Sequence, residues 1–138
     1  MEKLLTEPSQ ALEFILGGNA TTTLVGASNR YTYKIKKAKK GDIYFVSVLV
    51  GGNNETDYKY IGCISDSKGY FTTAKSGFVG MAQSLAFGFV YSRLKQGIID
   101  SRTQVWHEGK CGRCGRKLTT PQSIDIGFGA ECIRLMEG

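Results

Sequence analysis

The sequence predicts an α+β protein, an antiparallel β-meander of about five strands packed with one short and one long helix, followed by a small cysteine-rich module. Three observations lead there. From Thr21 to Thr73, short runs rich in Val, Ile, Thr, Tyr and Phe alternate with Gly- and Asn-containing turns, and parallel pairing would need longer crossovers than these connections supply. Gly80 to Gln96 is one long run with apolar residues at helical spacing. Three of the four cysteines and the only histidine fall within 26 residues near the C-terminus. No proline-rich or low-complexity linker intervenes, so residues 1–100 read as a body and 101–138 as a module docked on it.

In chain order, Thr6-Glu7-Pro8-Ser9 starts a helix, with Thr6 or Ser9 as cap and Pro8 in the first turn. Ala11, Leu12, Phe14, Ile15 and Leu16 follow, and Gly17-Gly18 ends it. Thr21–Val25 is the first strand. Tyr31 to Ala38 alternates, with Tyr31, Tyr33 and Ile35 on one face and Thr32, Lys34 and Lys36 on the other. Ile43–Val50 is the most hydrophobic strand and belongs in the sheet interior. Tyr58–Ser65 and Tyr70–Thr73 complete the meander around a Ser67-Lys68-Gly69 hairpin turn. In the long helix, Met81, Leu85 and Phe89 form one apolar line and Phe87, Val90, Tyr91 and Leu94 another. Apolar residues on most of the circumference predict deep packing, and Gly97 ends the helix.

The C-terminal module carries the chemistry. Two residues separate Cys111 from Cys114 and seventeen separate Cys114 from Cys132, with His107 four residues upstream. Thiolate sulfur and imidazole nitrogen are the donors a tetrahedral structural zinc takes, and a CxxC turn places two sulfurs on one ion. The expectation is one structural zinc ion held by His107, Cys111, Cys114 and Cys132, with Cys63, Glu108 or Glu131 as alternatives to the histidine. Cys63 sits mid-strand and reads as a small buried hydrophobe. Gly112 and Gly115 follow the two knuckle cysteines and permit positive φ, so that backbone N–H groups can face sulfur. Gly127-Phe128-Gly129 places Cys132 at the start of a helix running to about Met136. A knuckle, an irregular hairpin at Lys117–Thr120 and a helix-borne cysteine make a treble-clef-like arrangement. Trp106, the only tryptophan, is expected in the dock between module and body.

The run CGRCGRKLTTPQSIDIGFGAEC resembles the C-terminal motif of an uncharacterised bacterial and bacteriophage family, CxxCGRxLT followed by Pro, Ser and GxGPxC. Ala130 stands where that family carries proline. Upstream stretches such as GNATTTLV, RYTYKIKK and VWHEG extend the likeness over roughly residues 17–132. The resemblance implies zinc and a phage or mobile-element setting. It brings no established activity.

Composition narrows the classes. Hydrophobic content of 41% allows a real core and argues against disorder. The N-terminal MEKLLTE has no secretory pattern and no apolar stretch approaches a membrane span, so the expected setting is a reducing cytoplasm without membrane association. Net charge is +6, and Arg30, Lys34, Lys36, Lys37, Lys39 and Lys40 cluster without an acid among residues 30–40. Such a run fits a polyanion, or alternatively a solvated edge strand. With Arg113, Arg116 and Lys117 beside the cysteines, the expected partner is DNA or RNA, with Tyr31 or Tyr33 stacking on bases. A host protein complex, met as an inhibitor or adaptor, is the alternative partner. Oligomeric state is not legible. Asp57, Asp66 and Glu55 show no catalytic spacing, and a closed four-ligand zinc leaves no position for water, so the expected role is non-catalytic.

Overall fold

The structure is a computed structural model that describes residues 2–137. Its strands are β1 (Lys3–Leu5), β2 (Asn19–Val25), β3 (Arg30–Lys37), β4 (Ile43–Leu49), β5 (Tyr58–Ser65), β6 (Gly69–Thr72) and β7 (Gln104–His107). Its helices are α1 (Pro8–Ile15), α2 (Ala82–Lys95), α3 (Pro121–Ile126) and α4 (Ala130–Glu137), with a short 3-10 turn at Ala74–Ser76. All strands join one seven-stranded antiparallel sheet in the order β1-β7-β2-β3-β4-β5-β6.

The meander of five strands is present as β2 to β6, with boundaries moved by one or two residues. Two further strands flank it, and the expected count is corrected to seven. β7 lies between β1 and β2, pairing Val105 with Leu5 on one side and Leu24 on the other. The segment that opens the C-terminal module therefore contributes a strand to the body's sheet, so the two units expected on either side of residue 100 share it.

Side-chain alternation divides the sheet into a covered and an open face. Tyr33, Ile35, Val46, Val48 and Val105 are fully buried on the covered face. Helices α1 and α2 pack there, tied down by Tyr44 Oη donating to the Leu16 carbonyl (3.0 Å) and Tyr33 Oη to the Gln83 carbonyl (2.7 Å). Between Val46 and Ser47 the β4–β5 register shifts from Gly62 to Tyr60, leaving Ile61 as the extra residue of a bulge. That bulge lets Ile61 and Ile64, of opposite parity, both bury. It also puts Tyr60 and Cys63, three apart, together on the open face, where Tyr60 Oη and Cys63 Sγ lie 2.8 Å apart. Cys63 is thus half-buried on the open face and not in the core.

The α2 pattern is corrected as well. Phe87, Val90, Tyr91 and Leu94 are buried, whereas Met81, Leu85 and Phe89 remain exposed, Leu85 at 62%. Only one line faces the sheet; among the described residues no layer covers the other. The Glu7 N-cap makes no side-chain bond to α1, so neither expected cap serves.

Candidate metal centre

The knuckle is built on α1. Phe14 is fully buried, its ring 5.4 Å from His107 and 5.9 Å from Phe128. A Cβ on Gly112 or on Gly127 would stand 2.8 Å from Phe14 Cδ1, so both positions require glycine for space. Gly112 does not take the positive φ expected from sequence; Gly115 does, at +79°. Asn19 closes the joint: its N–H donates to the Gly112 carbonyl (2.8 Å) and its Nδ2 to the Cys114 carbonyl (3.4 Å). Trp106, expected in this dock, lies on β7 with Nε1 donating to Gln104 Oε1 (3.2 Å). Phe14, Phe128 and His107 form the joint instead.

After the knuckle, the chain pairs Lys110 with Lys117 in a single bridge and enters α3. Here Thr120 Oγ1 accepts from the Ser123 N–H at 3.2 Å, Pro121 occupies the first turn, and Gly127 ends the helix at φ +87°. This Thr-Pro-x-Ser…Gly signature is a helix start and stop, so a helix follows the expected irregular hairpin at Lys117–Thr120, whose pairing is the single Lys110–Lys117 bridge. Helix α4 then carries Cys132 in its first turn, as expected.

The sulfurs of Cys111, Cys114 and Cys132 all lie within 4.8 Å of one another. Tetrahedral zinc with sulfur at about 2.3 Å sets its sulfurs roughly 3.8 Å apart, so the three thiols fit one such ion. Backbone groups prepare them for it. The N–H groups of Arg113 and Gly129 each point at Cys111 Sγ at 3.4 Å. Burial pushes the Cys111 thiol up, but N–H donation from Gly129, Cys114 and Arg113 outweighs it and holds the thiol below its ordinary value. Cys132 is raised by burial and by the two neighbouring cysteines, although Arg113 Nη1 sits 3.7 Å from its sulfur. Three thiols this close ionise together only with a cation among them. The cluster can hold a metal ion.

His107 is not brought into this cluster. Its ring is buried, Nε2 donates to the Ile124 carbonyl (2.5 Å) and Nδ1 accepts from the Gly109 N–H (2.9 Å). Those two bonds fix the neutral tautomer with its proton on Nε2 and leave no nitrogen for a metal. Burial lowers the imidazole's affinity for a proton, in keeping with that form. The alternatives are engaged elsewhere: Glu108 accepts from Thr23 Oγ1 (2.6 Å), and Glu131 pairs with Arg134 (3.2 Å).

The basic residues are only partly gathered. Arg30, Lys34 and Lys36 share the open face with Thr32. Lys34 Nζ lies 4.5 Å from the Tyr58 ring centroid and donates to the Glu55 carbonyl (3.3 Å). Lys36 stands in register between Asn19 and Phe45, hence beside the knuckle that Asn19 holds. Lys37 takes the opposite parity, and Lys39 and Lys40 sit in the turn before β4. Arg113, Arg116 and Lys117 are exposed around a cavity of about 490 Å³ that also contains the three cysteines. Tyr31 and Tyr33 point to the helices, Tyr33 fully buried, so neither stacks on a ligand. Sequence reasoning missed the aromatics that are exposed: Phe45, Tyr60 and Phe71 on the open face. Phe45 and Phe71 alternate regularly with neighbours that face the helices, which held the signal; the bulge at Ile61 reversed the parity only for Tyr60.

No helix among the described residues is long and apolar enough to cross a membrane. Residues 102–136, about a quarter of the chain, match a family of unknown function (DUF6011). Searches of curated proteins and of solved structures found no match to the chain.

Proposed function

We propose that this is a zinc-stabilised, basic accessory protein that binds nucleic acid in single-stranded form, with a treble-clef-like module rigidifying one end of the binding surface. One observation carries the reading. The open sheet face exposes Phe45, Tyr60 and Phe71 next to Lys34 and Lys36, and the cysteine knuckle docks on Asn19 at the end of the same face. Bases stack on aromatic rings whatever their sequence, and lysines alongside neutralise the backbone. The thiolate set favours zinc over harder divalent ions. The motif's likeness to bacteriophage proteins supports a phage or mobile-element setting, with the host cytoplasm as the site of action.

The test is a salt titration of labelled single-stranded DNA, RNA and duplex by fluorescence anisotropy. With four to six phosphate contacts the log–log slope of affinity is about −3 to −5, and single strands bind more tightly than duplex. Replacing Tyr60 and Phe71 by alanine weakens binding by about 1–3 kcal/mol per lost stack and leaves the slope unchanged. No measurable binding to any nucleic acid at low salt ends the proposal. A second reading rests on the apolar groove of about 370 Å³ between β2 and α2, lined by Leu24, Leu85 and Phe89. It suits a host protein surface, and a stoichiometric partner retained from nuclease-treated lysate would favour it over nucleic acid.

A further inference from the structure

The donor set of the metal centre is one short of a closed structural site. Cys111, Cys114 and Cys132 converge, and among the described residues no fourth His, Cys, Asp or Glu joins them. Both His107 nitrogens are spent on backbone groups, Glu108 is bonded to Thr23, Glu131 pairs with Arg134, and Cys63 lies beside Tyr60 on the open face. Closed structural sites take four protein ligands, whereas a site with three leaves a position for a ligand from solution.

What surrounds that position is specific. Cys114 is exposed, and the cavity of about 490 Å³ at the cysteines opens outward between Arg113, Arg116, Lys117, the Glu131 carboxylate and the hydroxyls of Thr120 and Ser123. Arg113 already lies against Cys132 Sγ at 3.7 Å. Three thiolates more than neutralise a divalent ion and, with the Glu131 carboxylate, would repel an anion, but the two guanidiniums and the ammonium outweigh that charge and reverse the sign of the surround. Guanidinium groups and hydroxyls are donors suited to the oxygens of phosphate.

From this arrangement we infer that the metal is held by three thiolates alone, and that its fourth coordination position opens to this cavity and takes an exchangeable oxygen ligand of the phosphate class. The inference rests on the zinc reading above and is independent of the open sheet face. It removes the argument that a closed coordination sphere confines the ion to a structural role.

The test uses the full chain. X-ray absorption on the zinc-loaded protein gives three sulfurs and one oxygen, with no imidazole scattering and no change in His107→Gln. In the cobalt(II)-substituted protein, inorganic phosphate shifts the visible d–d bands saturably. The double variant Arg116→Ala, Lys117→Ala, which leaves Arg113 against Cys132 Sγ, keeps the phosphate-free spectrum and needs at least about tenfold more phosphate for half-saturation. Imidazole scattering that disappears in His107→Gln overturns the inference, and so do bands indifferent to phosphate. Protein that binds no stoichiometric metal fails earlier and removes the zinc reading itself, leaving nucleic-acid binding by the open face to be judged by its own titration.

Discussion

Phe14→Ala is the perturbation that best separates a docked metal module from one that merely follows the body in sequence. The Phe14 ring is fully buried at the joint of α1, His107 and Phe128. Truncating a buried Phe to Ala costs about 3–5 kcal/mol, the higher values where the surroundings cannot relax into the space. Two of the nearest walls are Gly112 and Gly127, which have no side chains to swing inward. The cost therefore falls at the upper end, about 4–5 kcal/mol, out of a total stability on the order of 5–15 kcal/mol. With an m-value of about 2 kcal/mol/M, the urea midpoint drops by about 2 M, read through Trp106 fluorescence on adjacent β7. Because the ring supports Gly112 between the first two cysteines, the proposed zinc site predicts that Phe14→Ala also gives up the ion to a competing chelator at lower chelator concentration. Phe87→Ala supplies the control, since Phe87 is equally buried but packs against Tyr33 and Tyr70. It lowers stability comparably and leaves zinc competition under native conditions unchanged. A Phe14→Ala loss below about 1.5 kcal/mol, or zinc retention matching that of Phe87→Ala, would refute the joint as described.

Three further outcomes follow from the same structure. His107 is held neutral by burial, below its ordinary pKa of 6.5, while the unfolded chain takes up a proton near that value. Stability is thus fully present above pH 6.5 and declines as pH falls below it, by at most about 1.4 kcal/mol per pH unit from this group. Denaturant melts of His107→Gln and wild type, compared across pH 5–8, show a wild-type slope in that window that the variant lacks; parallel curves would disprove it. On α2, Leu94→Ala costs about 2–5 kcal/mol and Leu85→Ala under about 0.5 kcal/mol by urea melts, since Leu94 is buried and Leu85 exposed. On the proposed zinc site, chelation lowers the melting temperature and unlocks amide exchange in residues 109–132 before β3 and β4; uniform exchange throughout would contradict a metal-held module.

The sequence showed the parts of this fold that rest on local pattern. β3 was legible because Tyr33 and Ile35 alternate with Lys34 and Lys36, and α1 because Pro8 and Gly17 bracket an apolar run. The cysteine set was legible because thiolate chemistry constrains its spacing. What escaped was non-local. β1 has three residues and β7 four, too short for periodicity, and each exists because the other and β2 supply its hydrogen bonds. His107 was read by proximity in sequence, but strand β7 ends at that residue and turns its ring toward Phe14 and the Ile124 carbonyl. The exposed Tyr60 was hidden by one bulge residue, Phe45 by the continuous apolar run of its strand, and the exposed line of α2 by the lack of a second layer among the described residues.

The place of β7 has a consequence for the order of biosynthesis. Until Gln104–His107 leaves the ribosome, β1 has no partner and the outer margin of β2 stays bare, with Thr22 and Leu24 presented to other chains. A product that stops near residue 100 would carry a sticky margin along Asn19–Val25 rather than a finished small domain. The segment that leads into the cysteines is thus also what covers this margin against self-association, and the sheet is protected only once Gln104–His107 has paired.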